Sequence, residues 1–206
     1  MYYHVGVPKK IDKNARKEQL AEAVWETIVE DGVAAVSVRN VADRAGVAVG
    51  SLRHVFPTRA ELVEFSARLM LKAATDRARA IPRGDDPKEH AERVLSEFLP
   101  LDSQRRAELE VNLALIAEAP VLPELTRIRN EATLALRSAC VIQVERLQGR
   151  EMGFTAALKG EGDHRAGARL HALIDGLALH LLVDPERSEE TLVILRQELD
   201  RIAAAR

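Results

Sequence analysis

The sequence predicts an all-α protein, on three observations. Ala, Leu, Glu and Arg dominate the chain while aromatic residues make up 3%, and side chains of those four types lose little rotamer freedom in a helix. Apolar residues recur at three- and four-residue steps, the period of a helix face. No stretch carries the alternation that a half-buried strand requires. The pattern divides into about nine helices.

Taken in order, the first helix is expected from Asp12 to Asp31, with Leu20, Ala23, Val24, Thr27 and Ile28 on one face. Gly32 should stop it, because glycine takes the left-handed conformation that follows a helix end. Ser37 caps a short helix from Val38 to Arg44, and Ala45-Gly46-Val47 is a tight break. A second short helix follows from Ala48 to Val55 and stops before Pro57. Thr58 and Glu61 form a capping box for a long helix to Ala80. Pro82-Arg83-Gly84-Asp85-Asp86-Pro87 reads as a linker. Five more helices are expected at Pro87–Leu99, Ser103–Glu118, Leu122–Gln148, His164–Val183 and Glu189–Ala204, with Asp102, Asp163 and Ser188 as caps. The stretch from Gly149 to Asp163 holds four glycines and reads as a mobile loop. The expected organisation is an amino-terminal unit over 1–57 and a helical unit over 58–206, with 58–81 as the connecting helix.

Composition narrows the class of function. One cysteine, Cys140, excludes an intrachain disulfide framework and a multi-cysteine metal site. No apolar run approaches the ~18–20 residues that a membrane span needs, and Met1 to Lys10 lacks the apolar core of a secretion signal. A cytoplasmic protein with no membrane partner is the expectation. No nucleophile with a paired base, glycine-rich phosphate loop or cluster of metal ligands suggests an enzyme, a cofactor or a metal. The net charge is −2, but residues 1–60 carry nine Lys/Arg against seven Asp/Glu. Lys9, Lys10, Lys13, Arg16 and Lys17 cluster there, as a solvated helix end or as a basic arm near phosphate.

The segment Ser37 to Phe56 has the spacing of a helix-turn-helix. Ala42 is small where two helices would cross, and Gly46 supplies a positive φ. Val47, Leu52 and Phe56 should face inward, leaving Val49, Gly50, Ser51, Arg53 and His54 near the outer side. Small residues allow close approach to a major groove, and Arg53 can donate to a base edge or a phosphate. Arg39 and Arg59 are placed to hold the DNA backbone. A hairpin that packs only against protein has the same spacing.

The stretch from Arg16 to Leu62 resembles the amino-terminal domain of the TetR family of regulators. The matching elements are Glu30-Asp31-Gly32, Ser37-Val38, Val41-Ala42, Ala45-Gly46-Val47, Gly50-Ser51-Leu52, Phe56 and Glu61-Leu62. The carboxy-terminal part is similar to the BetI-like branch, in Ile116-Ala117-Glu118-Ala119, Pro123-Glu124-Leu125 and Asp175-Gly176-Leu177-Ala178. Three positions depart from the family pattern. Arg53 stands where the family usually has tyrosine, Ala48 where it has serine or threonine, and Arg59, displaced by Ala60, where it has lysine before the glutamate. The resemblance implies a sequence-specific DNA-binding regulator, a repressor or an activator, that binds a double-stranded operator and a small-molecule effector. With the residue reading, it assigns Lys13, Arg16, Ser37, Arg39, Ala48, Val49, Gly50, Ser51, Arg53, His54 and Arg59 to DNA.

The resemblance also implies a homodimer in which the last two helices pair with their copies. Leu170, Leu173, Ile174, Leu177 and Leu181, with Leu192, Leu195 and Leu199, are the expected interface, and burial inside one subunit is the alternative for the same residues. An effector pocket is expected among the middle helices, lined by Phe65, Leu69, Phe98, Asn112, Ile116 and Leu134. Asn112 is the polar exception in an apolar run, where an unpaired amide is unfavourable to bury. His171 and Asp175, four apart, read as a helix-surface hydrogen bond or a polar spot at the dimer seam rather than as metal ligands.

Overall fold

A computed structural model of the chain describes residues 13–120 and 123–205. Among the described residues there are ten α-helices, two 3-10 turns and no strand. The helices are α1 (Lys13–Asp31), α2 (Val38–Arg44), α3 (Val49–Val55), α4 (Arg59–Ala80), α5 (Pro87–Ser96), α6 (Ser103–Glu118), α7 (Pro123–Leu147), α8 (Phe154–Leu158), α9 (His164–Val183) and α10 (Ser188–Ala204). The 3-10 turns are Val33–Ala35 and Pro185–Arg187.

Side-chain caps set five of the helix starts. Ser37, Thr58, Asp86, Asp102 and Asp163 each accept a backbone N–H from the first turn that follows, satisfying donors that a helix start leaves unpaired. Ser188 is not a cap as expected: it is the first residue of α10, because the turn Pro185–Arg187 leads into the helix. The stretch from Gly149 to Asp163 is not a bare loop either. It contains α8, and buried Glu145 ties down both of its ends by accepting from Arg150 Nε at 2.5 Å and from the Asp163 backbone N–H at 2.7 Å.

Two apolar cores follow from the periodicity. One joins Leu20, Val24 and Ile28 of α1 to Val41, Leu52, Leu62 and Val63, and it continues into Val111 and Leu115 of α6 and Leu125 and Ile128 of α7. The other joins Leu95, Leu99, Val144 and Leu147 to Leu170, Ile174, Leu177 and Leu181 of α9 and to Leu195, Leu199 and Ile202 of α10. Full burial of such a side chain contributes about 2 kcal/mol. Helices α7 and α9 touch closely at Gly167, where an added Cβ would lie 2.4 Å from Val141 Cγ2. α9 also corrects an expectation. It is long and apolar enough to cross a membrane, with mean hydropathy 1.3, but Leu170, Ile174, Leu177 and Leu181 are buried in the second core.

Acid sensitivity follows from the paired carboxylates. Hydrogen bonding from Arg150 holds Glu145 below the ordinary glutamate value, and Arg68 and Arg201 do the same for Glu64 and Glu198. A carboxylate whose folded pKa is depressed adds stability above its unfolded value, and that stability is lost as the pH falls through the folded one. The melting temperature is therefore expected to fall below pH 4.5, with a shallower fall in Glu145→Gln. Parallel acid melts of the two proteins would refute this if their curves coincide in slope.

Candidate nucleic-acid interface and ligand cavity

The short helices α2 and α3 are held as a unit by contacts that sequence-local chemistry explains. Gly46 takes φ 63°, which a side chain would resist, and Val47 N–H donates to Ala42 O at 3.0 Å across the turn. Gln19 Nε2 pins the turn to α1 by donating to Ala45 O at 2.8 Å. Arg44 ties α2 to the end of α1 through Glu30 at 2.6 Å and Asp31 at 2.7 Å. Arg44 is therefore engaged by protein, while Arg39 and Arg53 stand in solvent.

On α3 the inward set is Leu52, fully buried, with Val49 and Phe56 packed against the same core. Val49 was expected on the outer side, and the structure corrects this: three residues before Leu52, it shares Leu52's face. Ala48, Gly50, Ser51, Arg53 and His54 are exposed, as are Arg39 on α2 and Arg59 at the start of α4. Ser37 is partly buried and spends its hydroxyl on the Asn40 N–H at 3.1 Å. The side chains of Lys13 and Arg16 lie outside the described residues.

A cavity of about 420 Å³ opens among α4, α5, α6, α7 and α9, with α8 at its edge. Its volume falls within the range of small-molecule sites. Phe98, Asn112 and Ile116 line it. The other three expected lining residues are elsewhere. Phe65 packs in the first core with its ring 4.9 Å from that of Phe56, Leu69 is outside the lining, and Leu134 is exposed on α7 between lining residues Thr133 and Ala135. On α7 the lining follows one stripe, Ala132, Ala135, Leu136, Ala139, Ile142 and Gln143.

The charges around the cavity are largely matched inside the protein. Arg77 donates to both carboxylate oxygens of Glu108 at 2.6 Å and to Glu97 at 2.7 Å. The Glu108 hydrogen bonds raise the Arg77 pKa, so its charge is fixed. Arg105 bonds Asp102 at 2.9 Å and lies 3.5 Å from Glu97. Arg79 lies 5.6 Å over the Phe154 ring, and His171 lies 3.4 Å from Asp175. Burial lowers the His90 pKa, favouring the neutral ring, whose Nδ1 sits 3.2 Å from Pro82 O. Among the described residues no group of three potential ligands could hold a metal.

One lining residue escaped the sequence reading. Gln143 is 4% exposed, and its Oε1 is buried without a hydrogen-bond partner among the described residues. The signal was available: Gln143 is an amide inside the apolar run Ala139-Cys140-Val141-Ile142-Gln143-Val144, as Asn112 is in its own run.

The seven leucines and one isoleucine expected at a dimer seam are placed inward. Leu170, Ile174, Leu177, Leu181, Leu195 and Leu199 are buried within the chain, and Leu173 and Leu192 pack partly against the same core. The exposed large apolar residues of these helices are Leu179, Val183, Val193 and Ile194, and Val183 is 87% exposed. Ala172 is exposed on the same stripe, and a Cβ added to Gly176 would meet nothing within 4 Å.

Comparisons with known proteins agree on one class. The description of bacterial regulatory proteins of the tetR family matches residues 20–64, and that of the BetI-type transcriptional repressor carboxy-terminal domain matches residues 87–204. The HTH-type transcriptional regulator PksA of Bacillus subtilis is 32% identical over 200 residues, 95% of this chain and 94% of that protein. A transcriptional regulator from Rhodococcus sp. Rha1 is similar in structure with TM-score 0.69 and 31% identity, over 92% of this chain and 94% of that one. A transcriptional regulator from Saccharomonospora viridis, solved in complex with choline, has TM-score 0.71 at 22% identity, over 92% of this chain and 95% of that one, which shows a shared fold.

Proposed function

The chain belongs to the TetR family of bacterial regulatory proteins, with a BetI-type carboxy-terminal domain, and we propose that it works as a homodimeric repressor whose hold on an operator is released when a small molecule fills the cavity. It is a DNA-binding transcriptional regulator and not an enzyme. Residues 1–57 form the DNA-binding unit and residues 58–206 the effector and dimerisation unit in this reading, and the protein acts in the cytoplasm, where its operator is.

One observation carries the release mechanism: α4 and α6 each touch both the cavity and the core beneath α3. The amino-terminal half of α4 packs Leu62, Val63 and Ala67 into the first core, while Leu71, Thr75 and Ala78 line the cavity. On α6, Val111 and Leu115 enter that core and Leu109, Asn112 and Ile116 line the cavity. A ligand that displaces either helix changes the seat of α1 and α3. In a dimer that alters the separation of two recognition helices, which must match successive major grooves roughly 34 Å apart. Effector and operator affinities are then coupled, each lowering the other.

DNA contact falls to the exposed residues of α3 and its flanks. Gly50 and Ser51 permit close approach, Arg53 and His54 reach base edges, and Arg39 and Arg59 contact phosphate. Arg53→Ala is expected to weaken operator binding about tenfold or more, from ~1–3 kcal/mol for a base-directed arginine. Fluorescence anisotropy on a selected duplex reads this directly. An affinity equal to wild type would remove Arg53 from the interface.

Dimerisation is assigned to the exposed stripe Ala172, Gly176, Leu179 and Val183 on α9, with Val193 and Ile194 on α10. The spacing of four, three and four residues keeps the α9 set on one side. A second copy is the occupant that accounts for apolar side chains in solvent beside Gly176, where a second backbone has room.

A further inference from the structure

We propose that the effector is an electrically neutral, mainly apolar molecule that hydrogen-bonds Gln143 through a group able to donate and accept, such as a hydroxyl or a primary amide, and that it is not a permanent cation. The inference rests on the reading of the cavity as the effector site and specifies its ligand class.

The argument starts from the Gln143 amide. It lines the cavity, is 4% exposed, and leaves Oε1 without a partner among the described residues. A buried amide oxygen left unpaired is destabilising in the empty protein. With the amide turned to present Oε1 to the cavity, a ligand group that donates to it removes that penalty on binding. Turned by 180°, the amide would offer an N–H at the same point, so a ligand group with both capacities suits either orientation. Asn112 brings a second neutral amide to the same cavity from α6.

The formal charges of the lining argue against a charged ligand. Arg79, Arg83 and Arg105 are balanced by Glu97, Glu108 and Asp175. Glu108 is taken by Arg77, Glu97 by Arg77 and Arg105, and Arg83 by Glu151 at 2.9 Å. Asp175 faces His171 at 3.4 Å, and its side chain is 54% exposed, so water also screens it. The aromatic residues of the lining are Phe98 and Phe154, and Phe154 already carries the Arg79 guanidinium. An aromatic cage for a quaternary ammonium group needs several ring faces free. Much of the remaining wall is aliphatic, with Leu71, Leu109, Leu136 and Ile142 and five alanines along α4 and α7, beside the hydroxyls of Thr75 and Thr133.

The test uses the full-length protein and two probes with matched alkyl chains, decanamide and decyltrimethylammonium, followed by titration calorimetry and thermal shift. Decanamide is expected to bind at least tenfold tighter than decyltrimethylammonium. Gln143→Leu is expected to lower decanamide affinity about tenfold while leaving the melting temperature of the unliganded protein equal or higher, since an unpaired amide is replaced by an apolar side chain. Asn112→Leu provides a second variant at a half-buried position, with a smaller loss expected. Tighter binding of the cation, absence of binding by decanamide up to its solubility limit, or unchanged decanamide affinity in both variants would each overturn the inference. Operator release separates it from the parent reading. Decanamide that binds without releasing DNA overturns the release mechanism and leaves the ligand class standing; a cation that binds tighter and releases DNA does the reverse.

Discussion

Leu179→Glu is expected to convert the proposed dimer into folded monomers, whereas Leu177→Glu, two residues away, is expected to unfold the chain. Leu179 is 44% exposed on the outer stripe of α9, and Leu177 is buried against the second core. A glutamate at 179 stays hydrated in the monomer and repels its copy only in the dimer. A glutamate at 177 must be desolvated in either state, without a partner, at a cost of about 4 kcal/mol or more, a large share of the ~5–15 kcal/mol that holds a typical domain together. Losing the dimer separates two linked half-site contacts, so operator affinity is expected to fall by ~10²–10⁴. Sedimentation, circular dichroism and DNA titration on both variants check this. A Leu179→Glu protein that remains dimeric would contradict the seam assigned here.

Arg77→Ala is expected to lower the melting temperature by more than any other single charge removal near the cavity. Arg77 of α4 joins Glu97, just past α5, to Glu108 of α6. The Glu108 side chain is 8% exposed, so removing the guanidinium strands a buried carboxylate. Breaking such a pair from one side removes ~3–5 kcal/mol. The partial exposure of Arg77 reduces this to about 2–3 kcal/mol, which at 206 residues corresponds to ~5–10 °C. The double variant Arg77→Met, Glu108→Leu is expected to recover most of the loss, because no charge is then left buried. Calorimetric melts of the two proteins decide it. A single variant that melts within 2 °C of wild type would deny the brace a structural role.

The parts of the fold legible in the sequence are those fixed by local chemistry. Ser37, Thr58, Asp86, Asp102 and Asp163 begin helices because a short oxygen-bearing side chain can reach a free N–H. Gly46 ends α2 through its own backbone freedom. These signals need no knowledge of the rest of the chain, so the helix-turn-helix and the bounds of α2, α4 and α6 follow from them.

What failed were choices between two apolar faces. On α9, Leu170, Ile174, Leu177 and Leu181 and the opposite set Ala172, Gly176, Leu179 and Val183 are both hydrophobic. Periodicity assigns each set to one side but says nothing about which side meets the core. Phe65 and Leu134 failed for the same reason: each lies on a helix with more than one buried or apolar side. Val49 lies three residues from Leu52 and so packs partly against the first core, although its neighbours Gly50 and Ser51 face outward. α8 was hidden by the four glycines around it, since a helix of five residues has too little pattern to read.

The most direct measurement of the central idea, that α3 carries Gly50, Ser51, Arg53 and His54 into a DNA groove, is selection of bound fragments from random duplex DNA with wild type and Arg53→Ala in parallel. The expected result is an inverted pair of half-sites enriched by wild type, with enrichment lost or altered at specific base pairs in the variant. Enrichment of no sequence at low salt, or identical motifs from both proteins, would contradict it.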